Sequence, residues 1–461
     1  MQSWVPNIRA TQGPKYLAIA NALARDVASG LLVAGDRLPP QRALADALGL
    51  DLTTVTRAYS EAQRLGLIEG NGRRGSFVLP QENKAPSIAT SDPGDLGMNA
   101  PPDAFGGSLA AAFCRSTEAL LTSSFTPAPF QYQRSGGSPA VRQVGAELLN
   151  ARGIACEEDT VLIAAGGQHA LHAIFSAELQ TGDILAVCQF IYPGLLSLAR
   201  RYGVELRVIE SDHNGMSPDA LDAACALAPI RGVYLVPTND NPTTVTMDIE
   251  RRRSISVVIE RHGLMLIEDD AYGFLPEEPL PPIATMVPEQ SWYIASVSKV
   301  LTPGLRMAWL RAPDVGKAWR LAADMHETAV MAPPLNAAVV GDWVRSGMFA
   351  PLVREVREEA RARQQIAREC LPAGTFQSHE DGYHLWVALG VGASVATIAD
   401  ALRAHGMSVI SSDAFSADRI APTGAMRVSI GGSLSRERLQ RGLTLLAALN
   451  SPQASRKQSL I

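Results

Sequence analysis

The stretch "SWYIASVSKVLTPGLR", Ser291 to Arg306, decides how this chain is read. Trp292 to Val297 are mostly apolar and predict a buried strand. At its exit stand Ser298 and Lys299, followed by a Pro-Gly-Leu-Arg turn that closes on Arg306. A salt-bridged surface lysine has no need of a buried strand to deliver it. A lysine held for covalent chemistry does: crowded by cations and partly desolvated, its amine loses proton affinity and gains nucleophilicity.

Working outward, seven apolar segments alternate with helical stretches between about 155 and 330: "TVLIAA", "DILAVCQ", "ELRVIE", "GVYLVP", "GLMLIEDD", "WYIASVS" and "RMAWLRA". Near-continuous apolar strands separated by helices predict an α/β domain built on a mostly parallel sheet covered on both faces. Ligands of such sheets bind beyond the carboxyl ends of the strands. Pyridoxal phosphate would ask for an amine to form a Schiff base, a carboxylate at the pyridine nitrogen, a donor at the phenolic oxygen, a stacking ring and phosphate donors. The sequence offers one candidate for each at a strand exit. "AAGGQHAL" places Gly167 and Gln168 where a helix opens, with backbone amides and helix dipole suited to phosphate. "FIYPG" supplies Tyr192 as a ring to stack on, and "PTNDNPTT" supplies Asn241 for the phenolic oxygen. In "LIEDDAYG", Asp269 would keep the pyridine nitrogen protonated while Tyr272 reaches the phenolic oxygen. Ser296, Ser298 and Arg306 would face the phosphate, and Arg427 in "AMRVSIGG" would receive a substrate carboxylate. Singly, a Gly-Gly turn, an Asn-Pro turn or a strand-end acid is ordinary. The ordered set is not.

Residues 1–79 have a different character. Nine Lys and Arg against six Asp and Glu over residues 1–78 make that segment +3, and with −5 overall the remainder carries −8. "KYLAIANALARDVASG" predicts a helix with Leu17, Ala20, Ala24 and Val27 on its inner face and Gly30 at its end. Pro39 and Pro40 open a second helix, Gly49 turns the chain, and Asp51 caps a third that ends at Gly66. "LIEGNGRRGSFVL" reads as a hairpin around Asn71-Gly72. This is an α+β winged helix-turn-helix. Residues 80–94, rich in Pro and Ser, read as a linker, 95–330 as the large domain, 331–450 as a smaller α+β domain, and 451–461 as a frayed tail.

Five scattered cysteines without CxxC spacing argue against a disulfide framework or a metal site and predict a reducing, cytoplasmic setting. No run of about 18 apolar residues predicts a membrane span, and the start "MQSWVPNIRATQG" has no apolar leader segment.

From about residue 92 to 450 the chain resembles the fold type I aminotransferases, with "YQRSGGSPAVR" similar to that family's glycine-rich segment and "DLGMNAPP" to its substrate-closing loop. The resemblance implies an obligate homodimer in which Tyr132 reaches the partner subunit's phosphate, and it places Asn99 near substrate. Residues 14–79, "GDRLPPQRALADALGLDLTTVTRAYSEAQRLGLIEGNGRRGSFV" among them, resemble the GntR-type winged helix. The fusion of the two resembles the MocR subfamily of transcription regulators. Two positions depart from the common pattern: relatives often carry a basic residue where Leu52 stands, and many lack the asparagine that Asn241 supplies. In that motif the chain is closer to working aminotransferases.

A recognition helix in the major groove and a wing on the backbone would use Arg42, Thr53, Thr54, Arg57, Arg73 and Arg74. The expectation is a dimeric, operator-binding regulator that senses an amine, an amino acid or pyridoxal 5'-phosphate. The alternative is a functioning aminotransferase with an accessory DNA-binding module, Lys299 serving as its proton-shuttle base.

Overall fold

Gly49, at φ 63°, has the left-handed backbone that lets one short helix stop and the next begin at a new angle. It separates α2 (Gln41–Leu48) from α3 (Leu52–Arg64), which follow α1 (Lys15–Ala28) and precede a hairpin of β1 (Ile68–Gly70) and β2 (Ser76–Val78). The hairpin pairs Ile68 with Val78, Glu69 with Phe77 and Gly70 with Ser76, and an isolated bridge joins Arg37 to Phe77 on the other side of β2. In this computed structural model the described residues are 4–6, 14–28, 31–70, 75–79, 97–104, 106–122, 130–418 and 424–451. Gly30, the turn at Asn71-Gly72, Arg73 and Arg74, the linker at 80–94 and the tail beyond Ser451 lie outside them. The chain divides into two units, Met1–Asp92 and Pro93–Ile461.

Two local expectations for the first unit need correction. The inner face of α1 is Ala18, Ile19, Ala20, Ala22 and Leu23, while Leu17, Ala24 and Val27 are only half-buried. Ile19 and Leu23, four residues apart, are the bulky pair that joins Val55, Ala58, Tyr59 and Ala62 of α3 in one apolar cluster. The expected stripe lay to one side of them. Asp51 does occupy the N-cap of α3, but its side chain makes no capping bond; its backbone carbonyl takes the amides of Thr54 and Val55 instead.

In the second unit α4 (Ser108–Thr122) and α5 (Pro139–Ala151) precede the run β3 (Val161–Ala164), α6 (Gly167–Glu178), β4 (Ile184–Val187), α7 (Pro193–Tyr202) and β5 (Glu205–Val208). A small ribbon of β6 (Ser211–Asp212) and β7 (Gly215–Met216) leads to α8 (Pro218–Leu227), β8 (Ile230–Leu235), α9 (Ile249–His262), β9 (Met265–Asp269), β10 (Ser291–Ser296) and β11 (Ala308–Arg311). The seven apolar segments form one sheet in the order β3-β11-β10-β9-β8-β4-β5, parallel except for β11, which runs against both neighbours. Alternate residues of one strand feed opposite layers: Leu162, Ala164, Trp292 and Ile294 pack beneath α6, while Val161, Ile163, Tyr293 and Ala295 pack on the other side.

Helices α10 (Val315–Ala329), α11 (Pro334–Arg345) and α12 (Phe349–Cys370) then lead into β12 (Phe376–Ser378), β13 (His384–Ala388), α13 (Val395–Arg403), β14 (Ser408–Ser411), β15 (Ala425–Ser429) and α14 (Arg436–Leu449). The four strands make an antiparallel sheet in the order β12-β13-β15-β14. One apolar cluster runs without a break from Trp309 and Val340 to Leu385 and Val428, so the core is continuous across residue 330. Gly145 in α5 belongs to this packing, because a Cβ there would collide with the Trp309 indole.

Candidate functional site

The parallel strands deliver their exits to one edge, and the three acids that close β9 are sorted there by strand alternation. Glu268 is fully buried and accepts the amides of Ile283 (3.1 Å) and Ala284 (2.7 Å). Asp270, on the same face, accepts Tyr293 Oη at 2.5 Å and Arg152 Nη2 at 2.8 Å. Asp269 points the other way and accepts Tyr234 Oη at 3.0 Å from β8. Burial pushes its carboxyl up to about 6, against the pull of that hydroxyl. The Arg152–Asp270 pair is structural. Arg152→Ala should cost about 3–5 kcal/mol because it strands a buried carboxylate, read as a lower urea midpoint.

Lys299 follows β10, and its Nζ donates to the Asn99 carbonyl at 2.5 Å. Desolvation, seconded by the Arg427 guanidinium, pushes the amine down to about 8, with Asp269 pulling the other way. Tyr383 Oη pins the Lys299 carbonyl at 2.8 Å. The Asn99 amide is fully engaged: it donates to Tyr272 Oη at 3.0 Å, meets His384 Nδ1 at 3.2 Å, and accepts Ser429 Oγ at 2.8 Å. Only its backbone carbonyl reaches Lys299. Burial raises the Tyr272 phenol to about 12 and lowers the His384 imidazole to about 3, so His384 is neutral.

Arg427, on β15, donates to Asn241 Oδ1 at 3.0 Å and to the Gly97 carbonyl at 2.6 Å, with its guanidinium 5.0 Å from the Phe415 ring centre. These residues surround a cleft of about 250 Å³ lined by Asn99, Tyr192, Asn241, Lys299, Phe415 and Arg427, among others. At the start of α6, Gly167 faces Ser296 and Gln168 bonds the Gly194 carbonyl at 3.4 Å. The amides of Gly167 and Gln168 open the helix and have no preceding turn to bond. Arg306 donates to the Ala165 carbonyl at 2.9 Å, and Gly166, at φ 93°, admits it: a Cβ there would lie 2.6 Å from its Nη2. Ser296 Oγ accepts the Ser298 amide at 3.3 Å. Tyr132 is not brought to this cleft; it is 87% exposed. Tyr234, Tyr383, His384 and Ser429 were not singled out from the sequence. Their signal is a polar ring or hydroxyl inside an otherwise apolar strand, as in "GVYLVP" and "YHLWVAL".

In the first unit Arg42, Thr53 and Arg57 are exposed and Thr54 is half-buried, while Val55, Ala58 and Tyr59 turn inward. Arg57 sits 4.4 Å over the Tyr16 ring, and Thr56 Oγ1 donates to Gln41 Oε1 at 2.9 Å, tying α3 to α2. Tyr59 Oη holds the Pro39 carbonyl at 2.7 Å.

Residues 95–446 match the family model described as aminotransferase class I and II, and residues 15–78 match that of bacterial regulatory proteins of the gntR family. The chain belongs to the aminotransferase class I and II family. The GntR-type region ahead of it makes the MocR pairing, and the chain is a member of that subfamily. The uncharacterized HTH-type transcriptional regulator YdeF of Bacillus subtilis is 30% identical over 97% of this chain and 96% of its own length. The vitamin B6 salvage pathway transcriptional repressor PtsJ of Salmonella typhimurium is 26% identical, with 80% of this chain and 84% of that protein covered. The aminotransferase fold is shared with the kynurenine aminotransferase of Pyrococcus horikoshii at a TM-score of 0.69 and 23% identity, covering 79% of this chain and 91% of that one. Membership in the aminotransferase class I and II family implies pyridoxal 5'-phosphate as cofactor. Among the described residues no helix is long and apolar enough to cross a membrane, and no group of side chains has the makings of a metal site.

Proposed function

We propose that this protein is a DNA-binding transcription regulator that carries pyridoxal 5'-phosphate and senses an amine, an amino acid or the cofactor itself. One observation carries the reading: a GntR-type winged helix with an outward Arg42, Thr53 and Arg57 shares a chain with an aminotransferase-type cleft that gathers Lys299, Asn241, Tyr192 and Arg427. The relatives named as transcription regulators support it.

The residues present fit the cofactor. Lys299 would hold its aldehyde carbon, Asp269 the ring nitrogen, Tyr272 and Asn241 the phenolic oxygen, and Tyr192 the ring face. Gly167, Gln168, Ser296, Ser298 and Arg306 would hold the phosphate. Three buried polar atoms here have no partner among the described residues: Gln168 Oε1, Ser298 Oγ and Arg427 Nε. Buried polar atoms are normally satisfied, so these support a missing polar group in the cleft. When bound, the cofactor supplies an electron sink. Asp269 would keep the ring nitrogen's proton in place, Lys299 would take and release a proton at Nζ, and Arg427 would orient a ligand carboxylate. The exposed Tyr132 supports a homodimer in which that ring reaches the partner subunit's site. Free cysteines and DNA as partner support a cytoplasmic location.

The neutral amine is the nucleophile, so the pH dependence has a definite sign. Below about 8, each unit of rising pH should raise the rate of cofactor attachment to the apo-protein about tenfold. The rate should level off above that value. Rapid-mixing absorbance between pH 6 and 9.5 would read the curve, and a rate still climbing tenfold per unit at pH 9.5 would contradict a depressed lysine.

The regulator itself is tested by mobility shift of a genomic fragment selected by the full-length protein, with and without pyridoxal 5'-phosphate and a panel of amines. The expected result is a change in affinity of about five- to 150-fold. Independence from both would sink the sensing role. A second reading, a working aminotransferase, is favoured by the depressed Lys299 amine, which can exchange a proton near neutrality. Sustained turnover of amino acid and keto acid pairs would promote it.

A further inference from the structure

Behind the cleft described above lies a second cavity, of about 290 Å³, between the exits of β4 and β8 and the outer face of the small sheet. Its walls include Phe190, Val236, Val245, Met247 and Trp386, and its polar lining includes Asp240 with Gln189, Ser211, Asp212, His213 and Gln377. Phe190 and Trp386 pack at 5.2 Å between ring centres, tilted by 55°, so they form one aromatic corner.

Asp240 is set firmly. Thr243 Oγ1 donates to its Oδ2 at 2.6 Å and the Thr243 amide at 3.3 Å, while its own amide bonds the Val245 carbonyl at 2.8 Å. What it lacks is a counter-charge. Among the described residues none of the ion pairs includes Asp240, and the charged neighbour that acts on it most is another carboxylate, Asp269. Burial holds its carboxyl up at about 7. His384 Nε2 meets the Asp240 backbone carbonyl at 3.0 Å, but that ring is neutral and does not balance the side chain. Asp212, also at the cavity, is already paired with Arg251 at 2.7 Å, and His213 beside it is exposed.

We propose that this cavity is a second ligand site, separate from the Lys299 cleft, and that it takes a small organic ammonium ion with an apolar body. Asp240 supplies the counter-charge, Phe190 and Trp386 supply ring faces that attract a cation, and Val236, Val245 and Met247 cover the apolar remainder. An anion would meet Asp240 unfavourably, and a neutral ligand would leave the carboxylate uncompensated. The cavity is walled by both the large sheet's loops and the small sheet, so an occupant would touch both parts at once. Asp240 also adjoins Asn241 of the first site.

The probe is benzyltrimethylammonium, which has no N–H and cannot react with an aldehyde, so the Lys299 chemistry cannot mimic its binding. Calorimetric titration of the full-length protein, with and without pyridoxal 5'-phosphate, should give saturable binding in both forms. The proposal therefore stands or falls independently of the cofactor. Asp240→Asn keeps an oxygen for Thr243 and should weaken binding by about tenfold or more, as should Trp386→Leu. Benzyl alcohol, the uncharged control, should bind at least about tenfold more weakly than the ammonium. Methyl-labelled methionine provides a readout that needs no variant: the Met247 resonance should shift on titration, while Met407, buried in the other core, should not. Failure to bind at about 10 mM probe, equal binding of benzyl alcohol, unchanged affinity in Asp240→Asn, or an unmoved Met247 would each overturn the proposal.

Discussion

Lys299→Ala should carry no borohydride-fixed cofactor, whereas the unaltered protein should carry about one per chain on the peptide that contains residue 299. The mapping is decisive because the chain has only five lysines: Lys15, Lys84, Lys299, Lys317 and Lys457. Of the two described away from the N-terminal unit, Lys317 lies on α10 beside Asp314 at 3.8 Å, an ordinary ion pair on a helix end. Lys299 alone has its amine depressed to about 8 by burial and by Arg427. It also bonds the Asn99 carbonyl and feels the charges of Asp269 and Arg306, so attachment and phosphate binding would reinforce each other. Lys299→Ala should still bind the cofactor weakly through the phosphate side, with the retained fraction lost on gel filtration. A fixed cofactor on any other lysine would remove the basis for the proposed sensing role.

The second large effect is on DNA. Deleting residues 1–79 should lower affinity for the selected fragment by about a thousandfold or more, to the level of no specific binding. The absorbance of bound cofactor should be retained. The apolar cluster of the first unit draws only on its own residues, from Ala18 to Val78, and the clusters of the second unit contain none of them. Among the described residues each unit therefore has apolar clusters of its own. The deleted part is also where positive charge concentrates, +3 against −8 for the rest, and phosphate contacts by Lys and Arg dominate affinity for duplex DNA. Specific binding that survived the deletion would refute this division of labour.

The two corrections in the first unit show where sequence reading stops. A periodic stripe on α1 could be drawn through Leu17, Ala20, Ala24 and Val27, yet the bulky Ile19 and Leu23 chose the buried face. Small residues tolerate either side of a boundary, and large ones do not. A capping aspartate is a local option, and at Asp51 the side chain makes no bond while the backbone carbonyl takes the amides of Thr54 and Val55.

The strands themselves were legible because a sheet covered on both faces requires unbroken apolar runs, and all seven runs entered it. The exits of those strands were legible too, since Asp269 ends β9 and Gly167, Asn241 and Lys299 follow β3, β8 and β10 within a few residues. Sequence by itself thus determined the class of fold and the seven strands of the large sheet. It could not sort Glu268, Asp269 and Asp270, because their roles depend on Tyr293 and Arg152 on one face and Tyr234 on the other. Nor could it join Arg427 to Asn241 across 186 positions of chain, or leave Asp240 facing a cavity without a counter-charge. Those facts belong to tertiary structure, because a carboxylate's state is set by the charges and solvent around it, and these come from segments that only folding brings together.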